Sequence, residues 1–170
     1  MLLPDLQPIL ESDFLLLRPL NEKDFDNLFK VASDPLIWEQ HPRNDRYKKE
    51  VFTSLFEDSI KSKGALVVVD KKTQGIIGSS RYYEVDVQNN SVVIGYTFIE
   101  RQYWGGKVNK ELKRLMIDHA FKYFDHVLFH VDENNLRSQK AMMKIGGQVL
   151  GEIIKPERKV LVYKISKIPL

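Results

Sequence analysis

The chain has 170 residues, a formal net charge of +3, 43% hydrophobic and 29% charged residues, and no cysteine. One domain with a core of useful size is expected at that length, and so small a charge argues against a dedicated nucleic-acid binder. The missing thiols exclude disulfides, thiolate metal sites and an acyl-cysteine intermediate, and no apolar run approaches the roughly 20 residues that cross a membrane.

The N-terminal stretch is acidic and interrupted by Pro4 and Pro8, so it does not read as a secretory signal, and a cytoplasmic location is expected. Residues 14–17 form an apolar run closed by Arg18-Pro19 and read as a first strand. Asn21 caps a predicted helix over 22–32, with Phe25, Leu28, Phe29 and Ala32 on one face. Asp34-Pro35 joins an N-cap to proline at the first helical position, which predicts a short helix ending near His41-Pro42. Residues 48–61 place Val51, Phe52, Leu55, Phe56 and Ile60 at helical spacing.

The period then changes. Residues 65–69 and 76–85 read as a hairpin, and 91–99, after the turn at Gln88-Asn89-Asn90, as a further strand. A long helix is predicted over 108–124. Its two apolar stripes, one of Leu112, Leu115, Met116, Ala120 and Tyr123, the other of Ile117, Phe121 and Phe124, imply packing on a sheet. Residues 126–131 read as a strand, Asn135 as the cap of a helix reaching Ile145, and Gly146 as its left-handed stop. Strands at 148–154 and 160–165 close the chain about Lys155-Pro156-Glu157. The order predicts an α+β, three-layer fold: a mixed sheet with helices on both faces, in a single domain over 1–170. His41, His119, His126 and His130 lack metal-ligand spacing, so no metal is expected.

Gly105 and Gly106 stand between the 91–99 strand and the long helix. Bare backbone there brings amides to a helix N-terminus, whose partial positive charge suits a phosphate. The dinucleotide fingerprint G-x-G-x-x-G is absent. A Walker A loop needs an earlier glycine and a Ser or Thr after Gly-Lys, whereas Gly106-Lys107 is followed by Val108. NAD-type and kinase-type chemistry therefore lack support.

Several motifs stand in one order: R-P-L at 18–20, S-D-P at 33–35, G-I-I-G-S-S-R-Y-Y at 75–83, I-G-Y-T-F at 94–98, Y-W-G-G-x-x-N-x-E at 103–111, D-H-A-F at 118–121, N-x-x-S at 135–138 and K-I-G at 144–146. Together they resemble the GNAT superfamily of acetyl-CoA-dependent N-acetyltransferases, and within it the branch of ribosomal-protein alanine N-acetyltransferases. The resemblance implies a mostly antiparallel sheet splayed beside strand 91–99. It implies that backbone groups near Thr97, Phe98 and Ile99 pair with the pantetheine of acetyl-CoA. The diphosphate would sit on the amides of Trp104, Gly105, Gly106, Lys107, Val108 and Asn109, with Lys107 or Lys110 adding charge. Asn135 and Ser138 would lie at the sulfur end, Ser138 as proton donor to the leaving thiolate. The family's Q/R-x-x-G-x-G/A reads here as residues 104–109, with Lys107 at its first glycine. Glycine adopts angles that lysine resists, which predicts a shifted loop path. The family's K-x-G-F reads Lys144-Ile145-Gly146-Gly147, without the aromatic.

With no cysteine, direct attack in a ternary complex is expected rather than ping-pong, and backbone N–H groups on the splayed strand would serve the oxyanion. Many members carry a glutamate two residues before the Gly-Tyr of the central strand. Val93 stands there and cannot accept a proton; Glu84 and Glu100 are the nearby carboxylates in sequence. Deprotonating a lysine at neutral pH costs roughly 3 kcal/mol more than deprotonating an α-amine. A small-molecule or peptide amine of low pKa is therefore the expected acceptor, and a homodimer is left open. Trp38, His41, Arg43, Arg46 and Tyr47 mix aromatic and basic character, which suits an acceptor bearing a carboxylate or phosphate, or else form a solvated loop anchored by Trp38. Trp38, His41 and Tyr83 are the substrate-side candidates, although strand aromatics such as Tyr82 and Tyr83 more often pack. His119 reads as a satisfied core histidine and His130 as a relay candidate. Two other readings compete: a catalytically silent acetyl-CoA sensor or scaffold, and a basic adaptor docking on RNA or the ribosome through Lys155, Arg158, Lys159, Lys164 and Lys167.

Overall fold

The computed structural model describes residues 3–168, so the ends of the expected 1–170 domain, residues 1, 2, 169 and 170, lie outside the described residues. Its elements in chain order are β1 (Leu10–Glu11), β2 (Leu15–Pro19), α1 (Phe25–Ala32), α2 (Lys49–Ser62), β3 (Ala65–Asp70), β4 (Ile76–Asp86), β5 (Ser91–Ile99), α3 (Val108–Ala120), β6 (His126–Asp132), α4 (Leu136–Lys144), β7 (Gln148–Lys155) and β8 (Arg158–Ser166). The strands form one sheet in the order β1-β2-β3-β4-β5-β6-β8-β7. Neighbours are antiparallel except β5 and β6, which run parallel. Parallel strands need a long crossover, and α3 supplies it.

The sheet is covered on both faces. Leu66 and Val68 of β3 pack with Leu112, Met116 and Ala120 of α3, while Ala65, Val67 and Val69 pack with Leu28 and Val31 of α1 and Phe52 and Phe56 of α2. Burial on both sides is why β3 reads as an unbroken apolar run rather than an alternation.

Local signals set several element ends. Asn21 accepts from the Lys23 N–H while Asp24 accepts from the Asn21 N–H, a capping box. Arg18 grips the same Asp24 carboxylate with two bonds of 2.7 and 2.9 Å. The helix expected over 22–32 opens as a 3-10 turn, Glu22–Asp24, before α1. The expected short helix after Asp34-Pro35 is a single 3-10 turn, Pro35–Ile37. It stops because Trp38 turns into the core, where its indole N–H donates to the Ala32 carbonyl at 2.8 Å. The long helix ends at Ala120, four residues before the expected boundary. Strand β1 was not anticipated; two residues pairing with β2 leave no periodic signal.

Candidate active site

The parallel ladder between β5 and β6 has three rungs: Ser91, Val92 and Val93 against His126, Val127 and Leu128. Beyond them the strands part. One edge of β5, from Ile94 to Ile99, faces a cleft of about 860 Å3 instead of a neighbouring strand. The parting begins at a bulge. Between the pairs Arg81–Gly95 and Ser79–Phe98, β5 carries one residue more than β4, and a bulge bends the strand that bears it. Tyr96 takes up the extra length at φ +53, a left-handed geometry that costs a non-glycine residue about 1 kcal/mol.

At one end of the cleft lies the N-terminus of α3. Gly105 adopts φ +72, and Lys107 sits in the ordinary right-handed region at φ −83. The left-handed residue is therefore a glycine, and lysine at 107 is unstrained. No side chain caps α3, and the amides from Gly105 to Lys110 have no acceptor among the described residues. Trp104, Gly105, Gly106, Asn109 and Lys110 line the cleft. Lys107 and Val108 do not present side chains there: the Lys107 ammonium lies 4.0 Å over the Phe14 ring, and Val108 is core. Only their backbone is available to a ligand. The Ile99 carbonyl is already taken by the Trp104 indole N–H at 2.9 Å, while Thr97 and Phe98 line the opening.

Helix α4 forms the opposite wall. Asn135 caps it by accepting the Ser138 N–H at 3.2 Å, and Ser138 faces the cleft one turn in. Arg137, inside the same N-x-x-S motif, was not anticipated. Its guanidinium lies 3.9 Å over the Trp104 ring and donates to the Ile37 carbonyl at 3.1 Å. It thus straps α4 to both the α3 entrance and the loop after α1.

On the sheet face covered by α1 and α2, the cleft is lined by Trp38, His41, Tyr83, Tyr96 and His130. The Tyr83 ring lies on Gly95, where a Cβ would fall 2.9 Å from it. Tyr83 meets Tyr96 and His130 edge-on at 5.1 and 6.1 Å. Burial raises the Tyr83 phenol, keeping it protonated, and lowers His130 below the usual imidazole value, keeping it neutral. Tyr82, by contrast, is packed in the core with its hydroxyl donating to the Met116 carbonyl at 2.6 Å. His119 is buried and bonded to the Asp5 carbonyl at 2.7 Å. Val93 is buried without any proton-accepting group, Glu84 lines the cleft, and Glu100 lies outside it, bonded to Gln102. The basic residues near the last strands divide: Lys155 and Arg158 line the cleft, Lys159 lies 3.8 Å from Glu152, and Lys167 donates to the Phe121 carbonyl.

Between the parted strands, under the bulge, lies Lys113 of α3. Its ammonium donates to Thr97 Oγ1 at 2.7 Å, and Thr97 Oγ1 also meets Ser80 Oγ at 2.8 Å. The residue is 4% exposed, and burial pushes the ammonium down to about 7. Lys113 stands one turn before Ile117, in line with the second apolar stripe, but a lysine there gives no sign of burial. The slot that receives it exists only because two strands far apart in sequence separate.

A family model described as an acetyltransferase (GNAT) domain matches residues 15–148. The chain belongs to the GNAT acetyltransferase family. A GCN5-related N-acetyltransferase from Brucella melitensis superposes with a TM-score of 0.83 at 18% identity, covering 94% of this chain and 79% of the other. The ribosomal-protein-S5-alanine acetyltransferase from Vibrio fischeri gives 0.71 at 18% identity, covering 94% and 97%. A spermidine N-acetyltransferase from Vibrio cholerae, in complex with CoA and spermine, gives 0.72 at 16% identity, covering 91% and 96%. These are likenesses of fold. GNAT enzymes use acetyl-CoA, and the uncapped amides at the α3 N-terminus together with the long cleft fit a diphosphate carried on a thin amide-bearing arm. Among the described residues no group of histidines and carboxylates could hold a metal, and no helix is long and apolar enough to cross a membrane.

Proposed function

We propose that the whole chain is one acetyltransferase domain that moves an acetyl group from acetyl-CoA to a primary amine by direct attack within a ternary complex. The observation that carries this reading is the parting of β5 and β6. It supplies one channel from the amides at Gly105–Lys110 to the Tyr83–His130 face. The amides at 105–110, with Asn109 and Lys110, hold the diphosphate. The free edge of β5 at Thr97 and Phe98 pairs with the pantetheine as an added strand. Backbone N–H groups on that edge stabilise the developing oxyanion.

Two side chains handle protons. Ser138 donates a hydrogen bond to the departing thiolate, whose pKa near 8.5 needs only modest help, and the proton taken from the amine passes to solvent. His130, held neutral by burial, accepts a proton from the amine, directly or through water. The acceptor enters over Trp38, His41 and Tyr83. Ser138→Ala is expected to lower kcat about tenfold without abolishing it, and His130→Ala about a hundredfold at neutral pH. Because burial depresses His130, the wild-type kcat measured at saturating amine falls on acidification only below the ordinary imidazole value of about 6.5. A descending limb above that value would contradict the assignment.

The deciding experiment is a thermal-shift titration with acetyl-CoA followed by thiol release against an amine library with mass-spectrometric identification of products. Stabilisation and thiol release are expected. Stabilisation without release from any amine would favour a catalytically silent acetyl-CoA-binding protein instead.

A further inference from the structure

His41 and Arg46 meet in a contact that neither can satisfy alone. His41 Nδ1 accepts the backbone N–H of Arg43 at 2.9 Å. A neutral imidazole with an accepting Nδ1 carries its proton on Nε2. That Nε2 lies 3.3 Å from Nη1 of Arg46, and a guanidinium only donates. Two donors therefore face each other on the cleft wall. Protonating the ring would not relieve this, and burial with Arg46 alongside holds it neutral, its pKa pushed down to about 3.

Arg46 finds no charge partner elsewhere. Among the described residues no carboxylate comes within 4 Å of it, nor of Arg81. Arg46 rests against the rings of Trp38 and Tyr96 at 5.5 and 5.7 Å, and Arg81 lies 3.8 Å from the centre of the same Tyr96 ring, its Nε without a partner. The wider cleft repeats the imbalance. Nine lysine and arginine residues line it against two carboxylates, Glu84 and Asp132, and Asp132 already faces Arg158. A polycation such as spermine would meet like charge along this wall.

We infer that the acceptor amine carries an oxyanion, a carboxylate or a phosphate, which binds between the Arg46 guanidinium and the His41 imidazole. This rests on the acetyl-transfer reading and deepens it. An oxygen between the two N–H groups bonds both at once, one of them charge-assisted. The pair belongs to the acceptor side, because Arg46 stacks on Trp38 and on the bulge residue Tyr96, whereas Arg137 and Lys110 serve the α3 end.

The test is thiol release from acetyl-CoA with glycine, β-alanine and longer ω-amino acids, their amides, the matching aminoalkyl phosphates, and spermidine. At least one acidic amine is expected to exceed its neutral counterpart about tenfold or more in kcat/KM; the carboxylate and phosphate series tell which oxyanion is preferred. Arg46→Gln is expected to bring that ratio near one, and Arg46→Lys to keep part of it, with acetyl-CoA affinity by calorimetry unchanged in both. The ratio is taken within one protein, so partial misfolding does not move it. Neutral amines turned over as well as acidic ones would overturn the oxyanion site and leave the transferase standing. So would an Arg46→Gln protein that loses acetyl-CoA affinity while keeping the ratio. No release from any amine would overturn the acetyl-transfer reading and this inference with it.

Discussion

Lys113→Met is expected to stabilise the protein at pH 7 by about 4 kcal/mol, and the gain should fade as the pH rises toward about 10. In the folded protein burial holds the Lys113 ammonium down to about 7, whereas in the unfolded chain it titrates near 10.4. Between those values the unfolded state binds more protons, so wild-type stability climbs with pH. Below the folded value the penalty of burying the cation is present in full. Methionine fills a similar volume without a charge, and Thr97 Oγ1 keeps its partner in Ser80 Oγ. Urea unfolding of both proteins at several pH values gives the difference directly. A constant difference across pH 7–10, or a destabilised variant, would show that the ammonium is not shielded as the geometry requires.

Gly78→Ala should be among the most damaging single changes in the sheet, with a loss of about 3 kcal/mol. A Cβ at this position would fall 2.2 Å from the Phe98 carbonyl oxygen, 2.9 Å from Ile99 Cδ1 and 3.2 Å from Ile99 Cα. The closest of these atoms is backbone and cannot swing aside. Strand β4 would have to draw back from β5 where the bulge sets the cleft, so acetyl-CoA binding should weaken along with stability. Gly106→Ala is the internal control, since its Cβ would meet only the Tyr103 carbonyl at 3.7 Å. Denaturation midpoints for the two variants separate the cases, and equal midpoints would contradict the close approach at Gly78.

The parts of the fold legible in the sequence were those written in local chemistry. Strand 91–99 appeared with its full extent, and Asn21, Asp34 and Asn135 each cap the turn or helix they precede. The motif order identified the family. What stayed hidden depends on groups brought together across the chain. Lys113 stands on the line of Ile117 and Phe121, yet its residue type gives no sign of burial, because the slot that takes it opens only where two strands separate. The donor-to-donor contact of His41 and Arg46 lies in an aperiodic loop, where residue types suggest affinity for anions but not geometry. Arg137 lay inside a recognised motif, yet its stacking on Trp104 depends on a loop more than 30 residues away in sequence. Tyr96 carries the bulge that pattern alone cannot place, since the side-chain alternation of β5 breaks only there.

The three-rung junction also governs how force and motion pass through the molecule. Everything from β6 to the end of β8 joins the rest of the sheet through that short parallel ladder, and parallel pairing is slightly weaker per residue than antiparallel. A molecule wedged along the free edge of β5 would add a temporary crosslink between two half-sheets that the sheet itself joins by three rungs alone. Amide hydrogen exchange in β6 and β8, far from any direct ligand contact, should then slow when acetyl-CoA is added, so that occupancy is registered as rigidity at the carboxyl-terminal side of the fold.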